Sequence, residues 1–123
     1  MKYLILIYHN PKVREAWEGM SAEQRAEGMQ AYSSFMDDLT DSGELVVAEA
    51  LADPTRAKRV STGGGRTSTT DGPFPEIKEY LAGFYLVDVA DEQRAVELAA
   101  RIPESRFGVI EVRPVLSLAS ADI

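Results

Sequence analysis

Glu49 has the sequence setting that most suggests chemistry. It lies in the run Leu45–Leu51, LVVAEAL, whose apolar and β-branched residues predict a strand. Alternation along that strand places Glu49 on the same face as three apolar side chains. A buried carboxylate must be paired, hydrogen-bonded or protonated, and burial raises the pKa of a carboxyl group into the range that general acids and bases use. Glu49 is therefore a candidate catalytic residue. The alternatives are a salt bridge with Arg101 or Arg113, or simple exposure at the sheet edge.

Asp71 is the second catalytic candidate, and it lies in the segment Thr70–Glu76, TDGPFPE. Its carboxylate can accept hydrogen bonds from the N–H groups just ahead, as in an Asx-turn, while Gly72 tolerates positive φ and Pro73 fixes φ. Phe74 offers an apolar anchor. We interpret the segment as a rigid turn that docks on the core. Catalysis by Asp71 is the alternative, because loops often carry functional groups.

Two tyrosines and two arginines are candidates for binding a ligand. Tyr8 closes the first apolar run and Tyr32 lies on a predicted helix, so both could line a space between helix and sheet. Arg101, near the end of the second predicted helix, and Arg113, in the last predicted strand, could hold a small anion. The structural alternatives are core packing for the tyrosines, interaction with the helix dipole for Arg101, and a cross-strand ion pair for Arg113.

The composition excludes several kinds of site. The 123 residues include no cysteine, which excludes disulfides, thiolate catalysis and cysteine-ligated metals. The single histidine, His9, removes the usual multi-histidine metal site. We interpret His9 as a solvated loop residue, with pairing to Asp71 as a base the weaker alternative. No cofactor or metal site is predicted.

The charge distribution argues against nucleic-acid binding. The net charge is −7, and residues 1–50 contain nine acidic against four basic residues. The basic residues that do cluster lie in a predicted hairpin at 56–70, where such side chains deter strand-to-strand aggregation. The apolar run Tyr3–Tyr8 is too short for a signal peptide or a membrane span. A cytoplasmic location is therefore expected.

Apolar periodicity predicts a single domain with the order β-α-β-hairpin-β-α-β. Ser21 and Gln24 match a capping box at the start of the first helix, and Gly43 supplies its end. Residues 12–19 are predicted as a loop with one turn at most. The remaining predictions are strands at 2–8, 45–51, 83–89 and 109–114, hairpin strands at 56–61 and 66–70, a helical turn at 76–81, and a second helix from Asp91 to Pro103.

This order predicts an α+β, ferredoxin-like fold. The split βαβ pattern gives an antiparallel sheet with two helices on one face and an inserted β-hairpin. The domain would span residues 1–123, with its core in about 1–115. The other face of the sheet needs cover, and we expect a second copy of the chain to supply it. The resulting homodimer would be a dimeric α/β-barrel-type assembly.

A combination of segments is distinctive: MKYLILIY at 1–8, AYSSF at 31–35, TDGPFPEIKE at 70–79, GFY at 83–85, RIP at 101–103 and EVRP at 111–114. In these segments the chain resembles the DGPF branch of the YCII-related family. The resemblance implies a ferredoxin-like, usually dimeric protein. Some relatives use a His–Asp pair for catalysis, with the His on the first helix and the Asp just before the proline that ends the second. The matching positions here are Tyr32 and Ile102, which cannot do that chemistry in the same way.

The missing His–Asp pair favours a small dimeric ligand-sensing or regulatory module without catalysis. Members of the DGPF branch are often encoded beside extracytoplasmic-function sigma factors, which implies a link to signalling without DNA contact. The alternative is a cofactor-free lyase, isomerase or dehalogenase acting on a small anionic substrate. It would use Glu49 or Asp71 as acid or base and Arg101 or Arg113 to hold the substrate. A third hypothesis is a structural role in which the acidic helix 21–42 meets a protein partner.

Overall fold

The computed structural model describes residues 1–72 and 78–117. Within that part of the chain, the elements are β1 (Lys2–His9), α1 (Pro11–Glu18), α2 (Ala22–Ser42), β2 (Leu45–Ala50), β3 (Lys58–Gly63), β4 (Arg66–Asp71), β5 (Tyr80–Asp88), α3 (Glu92–Ala100) and β6 (Ile110–Pro114), with short 3-10 helices at Pro54–Arg56 and Pro103–Phe107. Four strands form an antiparallel sheet in the order β2-β5-β1-β6, and β3 pairs with β4 in a separate hairpin. The predicted α+β, ferredoxin-like fold is confirmed.

The core lies between the four-stranded sheet and the helices α2 and α3. Alternate residues of β1 and β5 face the helices, because side chains along a strand point to opposite faces. Burying an aliphatic or aromatic side chain of this kind stabilises the fold by roughly 1.5–3 kcal/mol. The most deeply buried large side chains are Ile5, Phe35, Leu39, Val87, Leu98 and Ile102.

The caps of α2 and α3 are those that the sequence predicts. The Ser21 hydroxyl accepts a hydrogen bond from the Gln24 N–H at 3.1 Å, and the Gln24 side chain accepts from the Ser21 N–H at 2.9 Å. Gly43 ends α2 with a φ of 77°, a conformation that favours glycine. Asp91 caps α3 by accepting from the Arg94 N–H at 2.9 Å. These contacts satisfy N–H groups that have no partner within the helix.

Helix α1 corrects the prediction of a loop at residues 12–19. The Asn10 side chain caps it by accepting from the Val13 N–H at 3.0 Å, and Pro11 occupies its first turn. A proline there forfeits no hydrogen bond, since the first N–H groups of a helix are unpaired within the helix anyway. Val13 is buried, at 5% exposure. The cap, the proline in the first turn and the buried Val13 are the features that accompany this helix of eight residues.

The β3–β4 hairpin confirms the predicted turn at the glycine triplet. Gly64 and Gly65 have φ values of 56° and 75°, as a two-residue turn with two positive φ angles requires. Val60 in β3 is 67% exposed, and every residue of β4 is exposed. The inserted hairpin therefore extends into solvent instead of contributing to the core.

Two strands differ from their predicted form. In β2 a bulge lies between Leu45 and Val47, so that Leu45 pairs with Val87 and packs on the core, while Val47 faces the other side of the sheet. A bulge inserts one residue and interrupts strict alternation. Strand β5 begins at Tyr80, which replaces the later part of the helical turn predicted at 76–81. Residues 73–77, including the Phe74 anchor, lie outside the described residues.

The sheet face opposite the helices carries a second set of apolar side chains, which we call the second face. Leu6 pairs with Phe84 across the strands, and Leu4 pairs with Leu86. Leu4, Phe84 and Leu86 are only half-buried. Within residues 1–72 and 78–117, the structure has no helix that is both long and apolar enough to cross a membrane.

Candidate functional site

A cavity of about 340 Å³ lies where α2 and the Pro103–Phe107 turn meet the sheet. We call it the helix-side cavity. Its volume is at the lower end of the range for small-molecule sites. Residues from five elements line it: Ile7, His9, Tyr32, Met36, Ala48, Glu49, Ala50, Ala82, Gly83, Phe84, Tyr85 and Glu104.

Three polar side chains meet in this cavity and form what we call the Glu104 cluster: Glu104, Tyr32 and His9. The Tyr32 hydroxyl donates a hydrogen bond to Glu104 Oε1. His9 Nε2 lies 3.4 Å from Glu104 Oε2, which is longer than a typical N–H···O hydrogen bond. The Glu104 side chain is 13% exposed and that of His9 is 34% exposed. The Glu104 carboxylate is thus largely shielded from water, while the His9 imidazole is still partly exposed to water.

The electrostatics of the cluster favour an ionised carboxylate and protonated phenols. Burial opposes ionisation of Glu104, but the hydrogen bonds from His9 and Tyr32 outweigh it and hold the pKa of Glu104 below its ordinary value. Burial, followed by the bond to the Glu104 carboxylate, raises the pKa of Tyr32 far above the ordinary value for tyrosine. Burial and the same negative charge also raise the pKa of Tyr85. At neutral pH the cavity therefore holds one buried negative charge between neutral hydroxyl groups.

The fold brings the three residues together from distant parts of the sequence. His9 is the last residue of β1, beyond the irregularity in the β1–β5 pairing between Ile7 and Tyr8. Tyr32 lies one turn before Phe35 and Met36 on α2, on the side that meets the sheet. Glu104 follows Pro103 in the first turn of the 3-10 helix. None of the three therefore depends on the hairpin for its position.

Gly83 allows β5 and β2 to lie close together beside the cavity. It lies in the middle of β5, opposite Ile7 on one side and Ala50 on the other. A Cβ at this position would come within 2.9 Å of the backbone oxygen of Glu49. Any larger residue would therefore push β2 away from β5 beside the cavity, and only glycine fits without a shift.

Glu49, the first catalytic candidate, lines the same cavity as Tyr32. Its pairing with Phe84 turns its exposed side chain to the second face of the sheet, so Glu49 borders the cavity from the edge strand β2 without pointing its carboxylate into it. This exposure matches the edge-strand alternative and not the buried carboxylate that strand alternation suggests. The buried carboxylate of the cavity is Glu104, which the sequence analysis did not select.

Asp71, the second catalytic candidate, is far from this arrangement. It ends β4, pairs with Lys58 across the hairpin, and its side chain is 83% exposed. Gly72 follows with a φ of 79°. The positive φ of Gly72 agrees with the turn interpretation, the Asp71 carboxylate accepts from Lys58, and Pro73 and Phe74 lie outside the described residues. His9 is paired with Glu104, so the suggested His9–Asp71 pair does not form.

Neither arginine candidate lines the helix-side cavity. The Arg101 guanidinium donates to Asp38 at 2.6 Å and lies 5.1 Å from the centre of the Phe35 ring. Arg113 forms an ion pair with Glu111, as the structural alternative predicted. The pair lies within one strand and does not cross between strands. Both arginines are engaged with carboxylates on the surface.

Tyr8 lines a different cavity of about 320 Å³, next to Glu79, Glu111 and residues 108–110. Tyr8 and Tyr32 were predicted to line one space between helix and sheet, and they line two different cavities. Among the described residues, no group of three or more His, Asp or Glu side chains is arranged to hold a metal ion.

Sequence reasoning missed Glu104 and undervalued His9. The pair Pro103–Glu104 is typical of the first turn of a helix, which was the one available local signal. That signal indicates a helix start and says nothing of a partner 72 positions earlier. The resemblance pointed to Ile102, which is 1% exposed in the core, whereas the carboxylate that meets Tyr32 comes two residues later.

The four-stranded order and the cavity define the chain as a ferredoxin-like protein with a candidate ligand site between helix and sheet. Residues 1–119 match the YCII-related domain, and the chain belongs to the YCII-related family. An uncharacterized protein of Rhizobium meliloti (strain 1021) is 33% identical over 117 residues, which cover 94% of this chain and 92% of that protein.

A solved structure has a similar fold. It is 5-chloro-2-hydroxyhydroquinone dehydrochlorinase from Burkholderia phenoliruptrix AC1100, in complex with 2,5-dihydroxybenzoquinone. The TM-score is 0.52 and the identity 14%, with 99% of this chain and 100% of that chain covered. At this identity the likeness establishes the shared fold.

Proposed function

We propose that the protein is an acid–base enzyme of the lyase, isomerase or dehalogenase type, with His9 as its general base. The observation that carries this proposal is the Glu104 cluster, in which the chain's single histidine lies beside a buried, ionised carboxylate in a cavity of ligand size. Histidine is the side chain most often used for proton transfer near neutral pH. The solved dehydrochlorinase, which shares the fold, supports a reaction of the elimination type.

The geometry of the Glu104 cluster determines which nitrogen of His9 would act as the base. An ionised carboxylate only accepts hydrogen bonds, so Nε2, which faces Glu104, carries the proton of the neutral ring. Nδ1 then keeps its lone pair and can take a proton from a substrate C–H or O–H group. Glu104 orients the ring and stabilises the imidazolium that forms, as the carboxylate of a catalytic triad does.

The proton transfer leaves an electron pair on the substrate. In an elimination this pair forms a new double bond while a leaving group such as chloride departs with its own bonding pair. In an isomerisation the imidazolium returns the proton to another atom of the same substrate. Both routes use only the proton that His9 takes up, and Tyr32 holds Glu104 in place through its hydrogen bond.

Chloride release from a panel of chlorinated hydroquinones tests the proposal. His9→Gln removes the base and should lower kcat/KM by about 100-fold or more. Glu97→Gln is the matched control, since that exposed carboxylate lies on α3 and only contacts Arg94. A His9→Gln rate equal to that of the wild type would show that His9 is not the base. A wild-type protein that releases no chloride from any member would contradict the dehalogenase reaction.

A ligand-sensing or regulatory module is the second candidate function. The observation in its favour is that Tyr32 and His9 both bond to Glu104, so the cluster is internally satisfied without a reaction. Such a module would bind its ligand in the same cavity and release it unchanged. Ligand binding by the wild type without turnover, together with altered binding of a sigma factor, would favour it over catalysis.

We also propose that the protein is a homodimer that pairs through the second face of the sheet. The half-buried Leu4, Phe84 and Leu86 support this, because apolar side chains on a sheet face gain from cover by another sheet. Sedimentation at micromolar concentration should give a dimer, and a monomer there would refute it. Membership of the DGPF branch and a cytoplasmic location stay predictions.

A further inference from the structure

Tyr85 is a buried residue whose hydroxyl group forms no hydrogen bond with the described residues around it. The residue is 7% exposed and lines the helix-side cavity from β5. Its ring packs edge-on against Phe35, with centres 5.2 Å apart and planes at 75°. This contact fixes the ring, and therefore the place of its hydroxyl group.

No hydrogen bond joins the Tyr85 hydroxyl group to another residue of 1–72 or 78–117, and the hydroxyl is not among the fully buried unpaired atoms of that part of the chain. Tyr32 differs, since its hydroxyl donates to Glu104. Buried tyrosine hydroxyl groups usually find a partner, because leaving a buried polar group unpaired is unfavourable. A hydroxyl group that is held at a cavity wall, without a hydrogen-bond partner in the described part of the chain, is suited to donate to whatever the cavity binds.

The charges around the cavity limit what that ligand can be. Its described lining contains no lysine or arginine, and its one inward carboxylate is that of Glu104, because Glu49, which pairs with Phe84, points to the second face of the sheet. Arg101, a candidate anion binder of the sequence analysis, does not line the cavity and is held by Asp38. With His9 neutral, as the proposed general base must be, an anionic ligand would meet the negative charge of Glu104 with no counter-ion beside it, and in a site of low dielectric this repulsion is poorly screened.

We infer that the cavity selects a neutral ligand with a carbonyl or hydroxyl oxygen, and that Tyr85 donates the hydrogen bond that holds that oxygen. This inference rests on the proposed function and names its substrate class, in place of the small anion that the sequence suggested. The oxygen would bond to the Tyr85 hydroxyl while the apolar walls, such as Ile7 and Met36, cover the rest of the ligand.

Benzamide and benzoate test the inference, because they have the same shape and differ in charge. Their dissociation constants at pH 7.5 would be measured by NMR titration of the wild type, Tyr85→Phe and Tyr3→Phe. Benzamide should bind on the order of 10-fold more tightly than benzoate. Tyr85→Phe should weaken benzamide binding by about 3- to 10-fold, the value of one neutral hydrogen bond. The variant keeps the ring, so its Tm should equal that of the wild type.

Tyr3→Phe is the matched control, since Tyr3 is 4% exposed on the same sheet face but does not line the cavity. It should bind benzamide as the wild type does. Equal binding of benzoate and benzamide, an unchanged benzamide affinity in Tyr85→Phe, or no binding of either probe would each overturn the inference. The proposed function fails on a separate result, the His9→Gln rate, so the two failures can be told apart.

Discussion

The helix-side cavity and the β3–β4 hairpin each contain a carboxylate beside a basic side chain, and burial makes them different. Glu104 is 13% exposed next to His9, whereas Asp71 is 83% exposed next to Lys58. Water and salt screen the hairpin pair, and exposed pairs typically contribute 0 to about 1 kcal/mol. In the cavity the carboxylate is held by two hydrogen bonds and shifts the pKa of its neighbours. A carboxylate beside a basic side chain is thus a surface ion pair in the hairpin and part of a candidate site in the helix-side cavity.

The two regions also differ in how closely their backbones approach one another. Beside the cavity, β5 and β2 come so close that a Cβ on Gly83 would lie 2.9 Å from a backbone oxygen. In the hairpin, a Cβ on Gly63 would have nothing within 4 Å. The cavity is thus built on tight strand packing, while the hairpin tolerates added atoms.

Gly83→Ala should produce the largest change in stability. The backbone of β2 must move to admit the methyl group, and overpacking of this kind typically costs about 1–3 kcal/mol in the free energy of unfolding. Urea denaturation of the purified variant measures it. Gly63→Ala in the hairpin is the matched control and should change the free energy of unfolding by less than about 0.5 kcal/mol. Equal changes in the free energy of unfolding for the two substitutions would contradict the proposed difference in strand packing.

Glu104→Gln should change how stability depends on pH. The pKa of Glu104 is lower in the folded than in the unfolded protein, so its ionised form contributes stability above the ordinary glutamate pKa of about 4.3. That contribution is lost as the pH falls through the lower, folded-state pKa. The variant should therefore lose less stability than the wild type on acidification in this range. Thermal unfolding from pH 7 to pH 3 gives the two curves, and parallel curves would contradict the lowered pKa.

Asp71→Asn should have the smallest effect. The substitution removes an exposed ion pair with Lys58, so the free energy of unfolding should fall by less than about 1 kcal/mol. Urea denaturation at low and at 0.5 M salt measures it. A loss of several kcal/mol that persists in salt would contradict the view that Asp71 forms only an exposed ion pair.

The sequence predicted the parts of the fold that depend on local signals. The capping box at Ser21 and the left-handed Gly43 delimit α2, and the glycine triplet forms the hairpin turn as expected. The bulge in β2 was not predictable, because pairing with Val87 and not local propensity decides that Leu45 turns toward the core. Tertiary contacts therefore override alternation where the strand is short.

The candidate site was predicted only in part, because it is made of long-range contacts. Tyr32 was chosen from the sequence and lines the cavity, whereas Glu49 borders it with its side chain on the other face of the sheet. The carboxylate that organises the cavity, Glu104, lies 95 positions from His9 and 72 from Tyr32. Nothing local marks such a partner, and an acidic residue after a proline is more often a helix start.

The single histidine allows the central claim, an imidazole oriented by Glu104, to be measured directly. A long-range ¹H–¹⁵N NMR spectrum of the chain without a histidine tag reports which ring nitrogen of His9 carries the proton in the neutral form. We predict a proton on Nε2 in the wild type and loss of that preference in Glu104→Ala, which removes the acceptor. A proton on Nδ1, or the same tautomer mixture in both proteins, would contradict the account.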